Sequence, residues 1–318
     1  MKIALLTNSR LSVPAINYLA AQGLLVSIGV PAGKKAAEDL DNVDFVAGQC
    51  KLPVRPFARP GLEIALREWL KECNADVVFV FTFPFRIPEH VLSVPVHGFI
   101  NFHFGVLPQY RGADAIFWQI KNREKEGGVS IHQMTAAIDE GPLYQVYKVP
   151  IAPSDTYGSH LSNLSMAAIP ALEKFLPALH SGTLKGTPQD QTLAGYYYRP
   201  ALNDVIIDWN LPAAAIIALI NATNPWNKGA VSFLNQYPIK ILAASVVPLS
   251  NGGQLAGKPG TIKIINEQYA CCVCCGSGEL VNLDILYCND SFMTGTQFAK
   301  LGIQQGMQFE NLIETKVA

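Results

Sequence analysis

Charge is scarce in this chain. Asp, Glu, Lys and Arg make up 15% of its 318 residues and nearly cancel, leaving a formal net charge of −1. No global field therefore steers it to nucleic acid or to an anionic membrane surface. No run of 18 apolar residues occurs, so no stretch reads as a membrane span. The opening apolar run stops at Asn8-Ser9-Arg10, too early for a secretory leader, and no small-residue cleavage site follows. The seven cysteines are odd in number and mostly bunched, which argues against a complete disulfide framework. A reducing, cytoplasmic setting is the expectation. No glycine lies between Thr7 and Ser12, where a nicotinamide-dependent dehydrogenase would carry its phosphate-binding turn. Internal repeats and low-complexity segments are also missing.

What is present is apolar: 49% of the chain, at a length sufficient for two cores. Residues 2–8 read as a buried parallel strand, and Ser12 as the cap of a helix with Pro14 in its first turn. Further strands are expected over Leu24–Val30, Ala75–Phe81, Phe99–His103 and Val129–Met134. Helices are expected over Leu62–Glu72, Asp114–Lys121 and about 157–180. This alternation predicts an α/β doubly wound, mostly parallel sheet of Rossmann-like type. Residues 183–203 are polar and turn-rich and read as a linker between a first domain, 1–182, and a second, 204–318. After a helix over Leu211–Asn221, short β-rich runs broken by Asn251-Gly252-Gly253, Lys258-Pro259-Gly260 and Gly276-Ser277-Gly278 predict a small, OB-like β-barrel, with a closing helix over Thr296–Leu301.

The chemistry concentrates in Asn101-Phe102-His103 and, 36 residues after His103, Asp139. Asn101 and His103 are two apart on an expected strand, so their side chains share a face. A carboxamide, an imidazole and a carboxylate together can run an acyl transfer: the amide donates to a developing oxyanion, the imidazole moves a proton, and the carboxylate holds the imidazole. On spacing alone a second reading stands beside this one, in which the pair are polar strand-end residues satisfied by loop backbone.

The surroundings decide between them. Leu107-Pro108-Gln109-Tyr110-Arg111-Gly112 follows the pair, then Gly128-Val129-Ser130-Ile131-His132-Gln133-Met134, then Asp139-Glu140-Gly141. Ile207-Asp208-Trp209 and Asn224-Pro225-Trp226 come later. In this order and spacing the chain resembles the formyltransferases that use 10-formyltetrahydrofolate, most closely those with the methionyl-tRNA formyltransferase layout, over nearly its whole length. The resemblance implies that Asn101 hydrogen-bonds the formyl oxygen as it gains charge. It implies that His103 stabilises the tetrahedral species and helps proton transfer, and that Asp139 orients His103 and assists deprotonation of the acceptor amine. It also implies a folate pocket walled by Phe83, Phe85, Arg86 and Ile87 and by the loop carrying Ala137, Ile138 and Glu140, largely through backbone groups. Read from the residues alone, the Phe-rich segment is equally ordinary core after a buried strand. The chain departs from the family pattern at Gly105, where a serine is usual, at Ala115, where a proline is usual, and at Phe81-Thr82-Phe83, where many members carry a glycine-containing turn.

Three further signals read as structural. His132 lies on a strand and is expected to be a satisfied structural histidine. Gly33-Lys34-Lys35, at a loop position where the tRNA enzymes carry a basic insertion, reads as a solvated face. Cys271-Cys272-Val273-Cys274-Cys275 alternates across a strand, so its thiols cannot converge on one ion, and no metal is expected. The acceptor is the open matter. Residues 201–318 hold six lysines and no arginine against eight acids, a balance of −2. A tRNA-clamping surface is expected to be basic. The charge therefore disfavours tRNA and favours a small-molecule or carrier-bound primary amine, an amino sugar among them. A non-catalytic folate-binding protein is the reading from another class. No membrane partner is expected, and the oligomeric state is not legible.

Overall fold

The computed structural model describes residues 1–33, 37–248, 257–264, 266 and 269–310. Lys34 and Lys35 lie outside them. The chain divides into two compact units: one formed by residues 1–115, 126–150 and 161–198, the other by 116–125, 151–160 and 199–318. Residues 183–198, expected within a linker, are thus part of the first unit.

The first unit is built on a seven-stranded sheet. Its strands are β1 (Ile3–Thr7), β2 (Leu25–Pro31), β3 (Val54–Phe57), β4 (Val77–Phe81) and β5 (Phe99–His103), followed by β7 (Glu126–Gln133) and β8 (Leu143–Pro150). A two-residue strand, β6 (Arg111–Gly112), pairs with β9 (Tyr196–Tyr197). The order is β3-β2-β1-β4-β5-β7-β8, parallel from β3 to β5 and antiparallel from β5 to β8. Helices α1 (Val13–Ala21), α2 (Ala37–Gln49), α3 (Leu62–Cys73) and the short α4 (Glu89–Leu92) connect the parallel strands. Every residue of β1 and β4 is buried, which is why these segments read as continuous apolar runs and not as alternating ones. The chain winds outward from β1 in both directions, so the strand order reverses between β1 and β4. Ligands of such sheets bind outside the carboxyl ends of strands near that point.

Alternation along β5 sorts its side chains between the two faces. Phe102 stacks on Phe81 at 4.5 Å between ring centres and lies 6.1 Å from Phe175 of α6 (Tyr157–His180). Asn101 sits opposite Val80 on one side and His132 on the other, while His103 sits opposite Ser130. The face of Ile100 and Phe102 is core; on the other, Phe99 is core and Asn101 and His103 bring polar groups toward the carboxyl end.

The second unit carries α5 (Ala115–Lys121), the first turn of α6, α7 (Ala213–Thr223) and a β-barrel. Its strands are β10 (Ala230–Leu234), β11 (Tyr237–Val246), β12 (Ile262–Lys263), β13 (Cys272–Cys274), β14 (Leu280–Cys288), β15 (Ser291–Thr294) and β16 (Phe309–Glu310). They run β12-β13-β14-β11-β10-β16, antiparallel throughout, with β15 on β14. The ring closes where Ile262 N–H donates to Met307 O (2.8 Å) and Phe309 N–H to Gly260 O (2.9 Å). Trp209 is fully buried inside this unit and donates its Nε1–H to Ser232 Oγ at 2.9 Å. The short closing helix is α8 (Gly295–Ala299). Cys272 and Cys274 pack with Leu280 and Val247, and burial pushes the Cys272 thiol up to about 12. These thiols are packing groups. Among the described residues no group of three His, Cys, Asp or Glu side chains is placed to hold a metal ion.

Candidate active site

The carboxyl end of β5 and the loop after β7 bring Asn101, His103, His132 and Asp139 together. Asp139 is at the centre. Its Oδ1 lies 3.3 Å from Asn101 Nδ2 and 3.5 Å from His132 Nε2. Its Oδ2 accepts the Gly112 N–H at 2.9 Å and lies 3.6 Å from His103 Nδ1. Burial alone pushes this carboxyl up. His103, His132 and the Gly112 N–H outweigh burial and hold it well below the usual carboxylate range, so Asp139 is an anion at neutral pH. The residue has a positive φ of 57°, a left-handed conformation that non-glycine residues adopt where neighbours enforce it.

The hydrogen-bond partners assign the tautomers of both rings. His103 Nε2 lies 2.5 Å from the main-chain oxygen of Tyr110, which only accepts, so Nε2 carries a proton. In the neutral ring Nδ1 is then the lone-pair nitrogen, and it faces Asp139. His132 Nδ1 lies 2.9 Å from Gln133 O and carries the proton in the same way. Its Nε2 lies between Asn101 Nδ2 at 3.1 Å and Asp139 Oδ1 at 3.5 Å, accepting from the amide in the neutral ring and donating to the carboxylate in the protonated one. His132, expected to be a satisfied structural histidine, is satisfied and 1% exposed, and it faces the site.

Arg111 is 0% exposed and was not singled out by residue-level reasoning. Its guanidinium donates to Gln189 Oε1 (3.0 and 2.8 Å), Gln191 Oε1 (2.9 Å) and Tyr196 Oη (3.0 Å). Tyr196 in turn donates to Glu140. Gln189 Nε2 donates to the main-chain oxygens of Asp139 and Gly141, both at 2.8 Å. The Leu-Pro-x-x-Arg-Gly motif carried a signal for Arg111. Gln189 carried none, sitting in a polar, turn-rich stretch.

The expected pocket residues divide. Ile87 is core, and the half-buried Phe83 and Phe85 pack edge-on against each other at 5.3 Å, beside the cluster that holds Leu6, Phe57 and Trp69. Arg86 is exposed and donates from Nη2 to Ala136 O at 2.8 Å, tying the segment after β4 to the loop that carries Ala137 and Ile138. Ala137 is exposed, Ile138 is 61% exposed and Glu140 is half-buried. Among the described residues, no main-chain group of 83–87 is hydrogen-bonded to another main-chain group. A cavity of about 390 Å³ opens beside the segment, lined by Arg59, Leu62, Phe85 and Arg86 among others. Another, of about 600 Å³, lies by Glu89, His97 and Tyr144 and touches none of Asn101, His103 and Asp139.

The two departures at Gly105 and Ala115 are one feature. A Cβ on Gly105 would stand 2.7 Å from His103 Nε2, 2.8 Å from the Ala115 Cβ and 2.9 Å from Tyr110 O. The third departure, Thr82, holds φ at 57°, a conformation suited to glycine.

Comparison with known proteins gives matches along most of the chain. The family model described as Formyl transferase matches residues 31–170, and that described as Formyl transferase, C-terminal domain, matches 202–301. Methionyl-tRNA formyltransferase from Dictyoglomus turgidum is 37% identical over 177 residues, 56% of each chain, so the chain spans just over half the length of that relative. Methionyl-tRNA formyltransferase from Acidithiobacillus ferrooxidans is 33% identical over 73% of this chain and 72% of its own. Among solved structures, the N-formyltransferase of Helicobacter canadensis in complex with folinic acid and dTDP-3-aminofucose superposes with a TM-score of 0.66 at 18% identity. It covers 88% of this chain and 98% of its own, a likeness of fold.

Proposed function

The chain belongs to the formyl transferase family, and from that premise we propose that it moves a formyl group from 10-formyltetrahydrofolate to a primary amine. The observation that carries this reading is the convergence of Asn101, His103 and His132 on one ionised carboxylate, Asp139, at the carboxyl end of β5. Bound beside this cluster, the donor supplies a formyl carbon open to attack by the acceptor's amine, with N10 as the leaving nitrogen. The segment 83–87 and the loop 136–140 fit its flat, polar ring. The main chain of 83–87 offers donors and acceptors to the ring edge, and the partly exposed Phe83 and Phe85 offer apolar faces.

The residues then divide the work. Asn101 Nδ2, by turning one N–H away from Asp139 Oδ1, donates to the oxygen that gains charge, a contribution of roughly 3–4 kcal/mol to the barrier. His103 Nδ1 takes the proton of the attacking amine and returns it to the leaving nitrogen, worth about 10²–10⁴-fold. Asp139 holds the imidazolium formed in between, and the Tyr110 carbonyl keeps Nε2–H in place.

Two acceptor classes remain in play. Methionyl-tRNA is supported by the curated relatives at 33–37% identity. The acidic balance of residues 201–318 favours a small or carrier-bound amine, but among those relatives the expectation that tRNA is disfavoured finds no support. The test incubates the protein with 10-formyltetrahydrofolate and either methionyl-tRNA or dTDP-3-aminofucose and follows tetrahydrofolate release and product mass. Turnover with only one identifies the class. No release with these or a wider panel of amines, together with tight folate binding, makes the chain a folate-binding protein and contradicts the proposal.

A further inference from the structure

Gln189 lies 50 residues beyond Asp139 and 78 beyond Arg111, past the end of α6, yet it is only 8% exposed and its amide is fully used. Two N–H groups and two lone pairs are its whole capacity. Both N–H groups go to the main-chain oxygens of Asp139 and Gly141, at 2.8 Å each, and both lone pairs go to Arg111 Nε and Nη2. The orientation of the amide is forced, because the guanidinium can only donate and the two carbonyls can only accept. The residue after Arg111 completes a ring: Gly112 N–H donates to Asp139 Oδ2. Asp139 is thus held by its side chain from Gly112 and by its main chain from Gln189, and both holds lead to one buried guanidinium. Between the two clamped carbonyls stands Glu140, so the amide spans the turn in which Asp139 keeps its left-handed backbone.

We propose that Gln189 is a positioning residue for Asp139: by clamping the main chain on either side of Glu140 it presents the carboxylate to Asn101, His103 and His132. The segment after residue 182 is then a working part of the formyl-transfer unit and not a tether. This rests on the reading of Asp139 as a catalytic group. It adds a residue outside the motifs that carry the family resemblance.

The test replaces Gln189 with Glu, an isosteric change that keeps Arg111's acceptor and removes both donors to the carbonyls. Steady-state rates are measured with 10-formyltetrahydrofolate and whichever of methionyl-tRNA and dTDP-3-aminofucose is turned over, in the otherwise unchanged protein and in an Asp139→Asn background. Expected are a 10–100-fold loss of kcat with the KM for the donor within about threefold, and less than a threefold further loss on top of Asp139→Asn, because the two changes remove one function. Unchanged kcat in Gln189→Glu overturns the proposal, and so does an equal loss in both backgrounds, which is the mark of a role independent of Asp139. Full activity in Asp139→Asn alone overturns it as well, and identifies the catalytic reading of Asp139 as the step that failed. If Gln189→Glu does not fold, as judged by its thermal transition, Gln189→Met takes its place in the same comparison with the same expectations.

Discussion

The Nε2 of His103 lies 2.5 Å from the main-chain oxygen of Tyr110, while Asp139 stands 3.6 Å from Nδ1 on the other side of the ring. A contact of 3.6 Å is longer than a hydrogen bond. The ring is therefore oriented by a backbone carbonyl, and the nitrogen turned toward Asp139 is the one free to accept a proton. Asp139's contribution is electrostatic until Nδ1 is protonated.

Gly105 keeps that arrangement possible. Gly105→Ala places a Cβ against Nε2, the Tyr110 oxygen and Ala115, with no flexible group among them to yield. Overpacking of this kind costs about 1–3 kcal/mol of stability, and displacement of the ring is expected to lower kcat at least tenfold. Rates and thermal unfolding of the one variant check both, and wild-type values for each would contradict the account of the site.

Thr82 is a β-branched residue at φ 57° immediately before the segment expected to hold the donor. A left-handed conformation costs a non-glycine residue about 1–2 kcal/mol, partly offset here because glycine has more chain entropy to lose. Thr82→Gly is expected to raise stability by about 0.5–1 kcal/mol, read from the denaturation midpoint. A lower midpoint would mean that the Thr82 hydroxyl's bond to Phe81 O outweighs the strain.

His160, in the second unit, gives the molecule an acid-sensitive point. It is fully buried, and among the described residues neither ring nitrogen has a hydrogen-bond partner. Burial pushes its pKa down to about 4, against a smaller upward pull from Asp155. Above the unfolded value of about 6.5 the ring is neutral in both states and pH has no effect through it. As pH falls from about 6.5 to 4 only the unfolded chain takes up the proton, so stability declines by about 2–4 kcal/mol. His160→Leu is expected to remove that decline while the loss below about pH 4, where the depressed Asp139 carboxyl begins to count, remains. Equal slopes between pH 6.5 and 4 in the two proteins would contradict this.

Much of this was legible from local pattern. β1 and β4 are short continuous apolar runs, α3 is amphipathic and α6 is long, and the structure forms them within a residue or two of their expected ends. α2 and β3 went unread: β3 is four residues long with a proline inside, and α2 has little apolar stripe. β8 was missed as well, being an edge strand whose residues are mostly half-buried and so alternate weakly. At the site, the i, i+2 spacing of Asn101 and His103 is visible in any strand, whereas Asp139, a candidate by its chemistry, is tied to them across 36 residues only by the family pattern. Tyr110 acts through a main-chain oxygen, which leaves no mark in side-chain chemistry. Gln189 was hidden because the polarity that makes a stretch read as a linker is the same polarity that lets it hydrogen-bond a buried turn.

The most direct test of the central claim is tetrahydrofolate release from 10-formyltetrahydrofolate in the presence of a primary-amine acceptor, measured for the unchanged protein and for Asn101→Ala, His103→Ala and Asp139→Asn. The account predicts release coupled one-to-one to a formylated product, lost by about 10²-fold or more in each variant while thermal stability and folate binding persist. Near-normal turnover in His103→Ala or Asp139→Asn, with the fold intact, would contradict it.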